Sequence, residues 1–307
     1  MTIEMETVAE GLDFPEGPIA CADGSVLLVE IARQTLTRVR PDGTVEIVAH
    51  LGGGPNGAAI GPDGAVYVVN NGGALEFPEG WKEAGKLGLP AHYEGGYVQR
   101  VDLATGAVTR LYDNCDGKPL NAPNDIVFDA NGGMWFTCFG FSDGETRRLG
   151  GVYHARPDGS AITRWRSEQI SPNGIGLSPD GRTLYWADSM LQRLWSLDIL
   201  EPGVVAPEAG HDSGAILTNL PGMQWFDSLA VEAGGKVAVA TLFNGGITLV
   251  DPADGSVEHI PVPDPIATNI CFGGADMRTA WITGSATGKL FRCRWPRPGL
   301  RLNFQAV

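Results

Sequence analysis

The chain has 307 residues, a formal net charge of −14 and 43% hydrophobic residues. That acidity argues against a nucleic-acid partner, which needs clustered Lys and Arg to displace counterions. No apolar run approaches the ~20 residues that span a bilayer, so no membrane partner is expected.

The five cysteines (Cys21, Cys115, Cys138, Cys271 and Cys293) are scattered and lack CxxC spacing, which offers neither a disulfide framework nor a thiolate zinc site. The N-terminal MTIEMETVAEG lacks the basic and apolar regions of a secretory signal, so a cytoplasmic location is expected. The 43 glycines and 21 prolines are spread evenly, which reads as many tight turns between short strands.

The segment Ile3 to Val8 resembles the fourth strands that follow later and is expected to pair near the C-terminus. A unit then begins that recurs along the whole chain. Its first copy, FPEGPIACADGSVLLVEI, carries a polar residue at Glu16, and TLTRVRPDGTVEIV follows as a strand and hairpin. The second, GPNGAAIGPDGAVYVVNNG, carries Asn56 and is followed by YVQRVDLATGAVTRLY. APNDIVFDANGGMWFTCFG carries Asn124 and precedes GVYHARPDGSAITRW. SPNGIGLSPDGRTLYWADS carries Asn173, with RLWSLDILEPGVV after it. WFDSLAVEAGGKVAVATLF carries Asp227 and leads into GITLVDPADGSVEHI. The most degenerate copy, ATNICFGGADMRTAWITGS, carries Asn269 and is followed by KLFRCRWPRPGLRLNF.

Asp42-Gly43, Asp158-Gly159 and Asp254-Gly255 are hairpin turn pairs. Each unit therefore predicts four strands, and six units predict an all-β, six-bladed β-propeller around a central channel, one domain over residues 1–307. No dozen residues show a convincing 3.6 period, so little helix is expected. Most steps between anchors are roughly 40 to 54 residues, in keeping with propeller blades. The step from Asn56 to Asn124 is longer, and its surplus is the insertion Leu75 to Gly96 between the second and third strands of the second blade. Such a loop is either a binding element or a passive surface insertion.

In a propeller the innermost strands start at the channel, so equivalent repeat positions converge there. Glu16, Asn56, Asn124, Asn173, Asp227 and Asn269 are thus predicted to ring one end of it. Asn and Asp beside Gly are ordinary turn residues taken singly. Six-fold recurrence, with carboxylates in two blades only, points instead to a divalent cation, because adjacent carboxylates repel and lose hydration without one. Side-chain oxygens of this kind suit Ca²⁺ in particular.

The ordered motifs FPEGP (Phe14–Pro18), PND (Pro123–Asp125), SPNGIGLSPDG (Ser171–Gly181), YWADS (Tyr185–Ser189), FNGG (Phe243–Gly246) and CFGG (Cys271–Gly274) resemble the senescence-marker-protein/gluconolactonase family. That family is related in site design to diisopropyl-fluorophosphatase. The resemblance implies Glu16, Asn173 and Asp227 as metal ligands, and Asn124 as a further ligand or a substrate contact. Asn56 and Asn121 are assigned with Asn124 to substrate binding.

It further implies one Ca²⁺, Zn²⁺, Mn²⁺ or Fe²⁺ ion and hydrolysis of a small lactone, with the cation polarising the carbonyl and Asp227 taking the water proton. Asp125 and Asp188 are weaker candidates for that proton, and Asp188 equally fits a role in orienting a neighbouring strand. The chain departs from the family at Phe226-Asp227-Ser228, where Pro-Asp-Gly is usual, and at Ala122, where sugar lactonases of the animal type carry arginine. The second departure weakens recognition of a polyhydroxy acid lactone.

The histidines His50, His92, His154, His211 and His259 share no repeat position, although His92 could reach substrate with Trp81 and Tyr93. Arg147 and Arg148 are candidates to meet a substrate carboxylate. An aryl-ester or phosphotriester hydrolase would use the same ring and differ in its loops, whereas a non-catalytic calcium-binding or interaction propeller would bind partners through exposed loops and have no need of the ring, so the convergent carboxylates favour an enzyme.

Overall fold

A computed structural model describes residues 3–81, 88–207 and 214–305. Every element with defined bounds is a strand, and six antiparallel sheets follow one another along the chain. Blade I is Pro15–Ala20, Val26–Glu30, Thr35–Val39 and Val45–His50. Blade II is Pro55–Ile60, Val66–Asn70, Tyr97–Val101 and Val108–Tyr112. Blade III is Pro123–Phe128, Met134–Cys138, Gly150–Ala155 and Ile162–Gln169. Blade IV is Pro172–Leu177, Thr183–Asp188, Arg193–Glu201 and Ala215–Asn219. Blade V is Phe226–Val231, Val237–Thr241, Gly246–Val250 and Val257–Pro261. Blade VI is Ala267–Gly273, Thr279–Gly284 and Lys289–Arg294, with Glu6–Ala9 as its fourth strand.

The innermost strands touch their neighbours in sequence, and that of blade VI touches that of blade I, which closes the ring. Thr7 pairs with Phe291, so the N-terminal segment completes the last blade as its sequence suggests. Closure joins the N-terminal strand and the last three strands in one sheet, and radial repetition leaves only short edges.

The hydrophobic core is divided into wedges between the blades. Ile19, Leu27 and Val29 of blade I meet Ala58, Val66 and Val68 of blade II. Equivalent clusters fill each of the other five interfaces, including Leu28 and Val26 against Trp281 where blade I meets blade VI. Inner strands are therefore covered on both faces, which is why VLLVE and VYVVN read as continuous rather than alternating apolar runs. Outer strands such as Val45–His50 are mostly exposed.

Blade IV departs from the predicted strand plan. The hairpin after Glu201 returns as Val204–Val205 only, along the outer end of the long third strand. The edge at Arg193–Ser196 is left open there, and Ala215–Asn219 takes it as the fourth strand. After Arg294 the chain does not add a further strand to blade VI, whose edge Glu6–Ala9 occupies. It runs instead beneath the channel, where Asn303 donates to the Phe128 carbonyl and Gln305 to those of Ala20 and Phe272. All five cysteines are free. Among the described residues no helix is long and apolar enough to cross a membrane.

Candidate metal centre and its cavity

Each anchor sits at the start of an innermost strand, and in all six blades the pairing with the second strand shifts register beside it, as between Glu16 and Ile19 or Pro172 and Ile175. A bulge breaks the alternation and re-aims a side chain. The glycines that follow three of the anchors serve close approach rather than turns. A Cβ on Gly17 would lie 2.9 Å from the Ala58 nitrogen, on Gly57 2.7 Å from the Asn124 carbonyl oxygen, and on Gly174 2.6 Å from the Leu229 nitrogen. The Asn-Gly pairs at Asn56 and Asn173 thus lie within strands, and their glycines let neighbouring blades touch at the channel.

Glu16, Asn56, Asn124, Asn173 and Asp227 are all buried and share the floor of one cavity of about 460 Å³, a volume suited to a small molecule. Asn269 is buried behind that floor and donates to Glu16 Oε2 at 2.8 Å, while the Gly17 amide donates to the same oxygen at 2.7 Å. Glu16 Oε1 has no hydrogen-bond partner among the described residues. Asn56 donates to the Asn124 carbonyl at 3.1 Å, and Asn173 donates to Ser189 Oγ at 3.0 Å. Asn124 Oδ1 is buried with no partner.

Burial, and then the charge of Asp227, pushes the Glu16 carboxyl well above its ordinary range. Burial, with repulsion from Asp125 beside it, raises Asp227 to about 8 against the hydrogen bond from Asn173. Both carboxyls are thus poorly solvated neighbours with no cationic side chain among the causes of their shifts. No three His, Cys, Asp or Glu side chains cluster among the described residues. The donor set is two carboxylates with amide oxygens, which fits a hard divalent cation better than a softer one. The orphaned Asn124 oxygen fits the same ion.

The other sequence candidates separate. Asn121 does not line the cavity, and its amide donates to the Leu149 carbonyl at 3.1 Å. Asp125 also lies off this cavity. Its carboxylate accepts the amides of Ile126 at 2.9 Å and Ile175 at 3.2 Å, and burial raises it to about 7. It ties blade III to blade IV. Asp188 is fully buried and spent on Ser171 Oγ at 2.6 Å and the amides of Ser171 and Leu191, so it orients strands and is not a proton acceptor for substrate.

His92 is exposed, and no described histidine lines the cavity; His211 lies outside the described residues. Tyr93 is a structural residue. It stacks on Phe141 at 4.2 Å, donates to the Asn71 carbonyl at 2.8 Å and accepts the Ala122 amide at 2.7 Å. Trp81 does line the cavity, packed against Phe14 and Phe77, and Leu75 and Leu89 of the same insertion join it. The insertion therefore forms wall, although residues 82–87 are outside the described set. Arg148 is exposed, whereas Arg147 is half-buried and lines the cavity.

Several wall residues were not singled out from sequence. Phe14 and Trp225 stand two positions before Glu16 and Asp227, as Ala122 stands before Asn124, and all three line the cavity. Asn71, Ser189 and Phe243 follow the second strands of their blades. The repeat alignment carries this signal, because residues flanking an anchor by two, or just past the second strand, emerge at the same end of the channel. Phe14, Ala122 and Phe243 also adopt left-handed backbone at φ 56°, 54° and 68°, the kind of strain that collects at functional sites.

A six-bladed propeller with oxygen-donor side chains converging on a cavity at one end of its channel defines the class. Residues 14–286 match the family described as SMP-30/Gluconolactonase/LRE-like region, and the chain belongs to that family. A gluconolactonase of Zymomonas mobilis is 27% identical over 206 residues, 60% of this chain and 51% of that protein. The chain thus spans about half the length of that relative. Lactonase drp35 of Staphylococcus aureus (strain MRSA252) is 26% identical over 83% of this chain and 69% of its own. Among solved structures, a gluconolactonase of Xanthomonas campestris aligns with a TM-score of 0.74 at 24% identity, covering 96% of this chain and 90% of that one. A calcium-binding protein, regucalcin, of Agrobacterium tumefaciens aligns with a TM-score of 0.74 at 20% identity, covering 98% and 99%. These two structural likenesses concern the fold.

Proposed function

We propose that this protein is a divalent-metal-dependent hydrolase that opens a small lactone. The observation that carries the reading is the pair Glu16 and Asp227, buried side by side with the unpartnered Asn124 oxygen on the floor of a small-molecule cavity. Membership of the gluconolactonase-like family and the lactonase relatives support the same reaction class.

Glu16, Asn173 and Asp227 would hold the cation, with Asn124 as a fourth donor or a substrate contact. Asn56 lies beside Asn124 on the substrate side. When bound, a divalent ion supplies Lewis-acid polarisation of the acyl oxygen. Asp227, as a carboxylate at the edge of the donor ring, takes the proton of the attacking water. The water oxygen bonds to the acyl carbon, the ring C–O bond breaks, and Asp227 returns the proton to the leaving oxygen, giving the hydroxy acid. Asn269 and the Gly17 amide fix one oxygen of Glu16 so that the other stays toward the cavity.

The test is acid release from a panel of lactones by chelator-treated, metal-replenished and Asp227→Ala protein. Activity that disappears with chelation, returns with one divalent ion and is absent in the variant is expected. Tight metal binding without lactone opening would favour an aryl-ester or phosphotriester substrate on the same site, or a calcium-binding propeller without catalysis. No metal binding would make the ring structural.

A further inference from the structure

Among the described residues, Arg147 is the only cationic side chain that lines the cavity. It arrives on a short hairpin, Phe141–Ser142 with Arg147–Arg148, inserted between the second and third strands of blade III. Its guanidinium is held in place by main chain alone. Nε donates to the Ile170 carbonyl at 3.0 Å, Nη2 to the carbonyls of Phe139 and Ile170, and the group lies over the Phe139 ring at 5.4 Å.

Both Nη1 protons remain uncommitted among the described residues, and no acidic side chain pairs with this arginine there. Asp188 acts on its charge from a distance but gives its oxygens to Ser171 and the amides of Ser171 and Leu191 rather than to the guanidinium. Most of the wall is apolar, including Phe14, Trp81, Phe141, Trp225 and Phe243, with Asn71, Ser142 and Ser189 as polar members. A half-buried cation without an ion-pair partner loses hydration that an incoming anion can offset, and here burial depresses its proton affinity. With a divalent ion balanced by Glu16 and Asp227, Arg147 is, among the described residues, the one charged side chain lining the cavity that has no ion-pair partner.

We propose that Arg147 Nη1 receives a carboxylate of the substrate, so that the lactone opened here carries an acid group on an otherwise apolar, ring-bearing body. This inference rests on the lactonase reading for the reaction but not for the anion subsite itself. Guanidinium–carboxylate pairing in a desolvated wall supplies orientation as well as affinity. The aromatic part of the wall, Phe14, Trp81, Phe141, Trp225 and Phe243, offers few partners to hydroxyl groups and suits an apolar ring. Ala122, two residues before Asn124, lines the same cavity and adds no polar side-chain atom to it.

The experiment compares phthalide-3-acetate with its neutral methyl ester as lactone substrates of the metal-loaded wild type, Arg147→Gln and Arg147→Lys. In parallel, calorimetry measures binding of phenylacetate and of phenylacetamide to the same proteins, before and after chelation. The wild type is expected to favour the acid in kcat/KM. Arg147→Gln should erase at least about 30-fold of the acid-to-ester ratio, chiefly through KM, with Arg147→Lys intermediate. Phenylacetate affinity should fall comparably in Arg147→Gln and that of phenylacetamide should not. Because Arg147 also braces its hairpin, the ratio within one variant is read rather than its absolute rate.

Parity of acid and ester in the wild type would overturn the inference, even if Arg147→Gln failed to fold. So would phenylacetate binding that is lost on chelation but indifferent to Arg147, since the acid would then sit on the metal. If no lactone is opened yet phenylacetate binding depends on Arg147, the lactonase reading fails and the anion subsite stands.

Discussion

The two ends of the channel are built by the same six innermost strands, yet they hold different chemistry. One end is the cavity over Glu16 and Asp227, walled by Phe14, Trp81, Trp225 and Arg147. The other is a larger cavity of about 580 Å³, bordered by Asp125, Asn269 and the C-terminal segment Leu300–Gln305. Each end has a buried aspartate whose carboxyl burial pushes up, Asp227 to about 8 and Asp125 to about 7. Asp125 follows its anchor by one residue, and its oxygens are taken by main-chain amides of its own strand and of the next blade. Asp227 is itself an anchor and opens to the cavity. A step of one residue along a strand therefore separates a blade-to-blade tie from a candidate catalytic group. The unpartnered oxygen of Asn124 and the Nη1 of Arg147, unpaired among the described residues, distinguish the smaller cavity from the larger.

The sharpest way to break this contrast is to neutralise each aspartate in turn. Asp227→Asn is expected to lower lactone kcat/KM by about 10³-fold or more and to abolish tight metal binding, measured by acid release and by metal titration. Asp125→Asn should keep metal binding and most activity but lower the melting temperature. Its new NH₂ would face the Ile175 amide, a loss of about 1–3 kcal/mol. Comparable loss of activity from both variants would remove the distinction between the two ends.

The pH dependence of the metal-free protein sharpens the same point. Asp227 holds its proton up to about 8 in the folded chain, against an ordinary 3.8, so the unfolded chain binds fewer protons between those values. The stabilisation from this group is complete below the unfolded pKa and is lost as pH rises through the folded one. Thermal melts of chelated protein should therefore fall between pH 4 and pH 8. A divalent ion should flatten that slope by replacing the proton, and Asp227→Asn should reduce it without metal. A flat profile for chelated wild type would contradict the assignment.

Smaller effects test the packing that sets the ring. Gly57→Ala places a Cβ 2.7 Å from both the Asn124 carbonyl oxygen and the Asp125 Cα, and should cost about 1–3 kcal/mol in denaturant unfolding. Asn121→Ala, whose side chain meets only the Leu149 carbonyl, should change kcat/KM by no more than about twofold. A large loss there would show that the cavity reaches farther than its present wall.

Much of this arrangement was legible in the chain. The polar residue recurring at Glu16, Asn56, Asn124, Asn173, Asp227 and Asn269 located the strand starts and their convergence, because a repeat in sequence becomes rotational equivalence once blades pack side by side. The apolar inner strands gave the blade order, and Ile3–Val8 gave the closure. Blade IV was misread because a Gly-containing hairpin after Glu201 looks like any other, and only competition for the edge at Arg193–Ser196 decides which strand fills it.

Composition and repeat period by themselves determined an all-β ring with an acidic, amide-rich focus. Local periodicity and turn chemistry suffice for that, and every blade repeats them. Tertiary structure alone decided which end of the channel each aspartate serves, that Asp188 and Tyr93 are structural, that His92 stays outside, and that Arg147 reaches the cavity while Arg148 does not. Those outcomes depend on bulges, on loop paths and on which hydrogen-bond partners neighbouring blades supply. Such partners are distant in sequence and meet only when the ring closes.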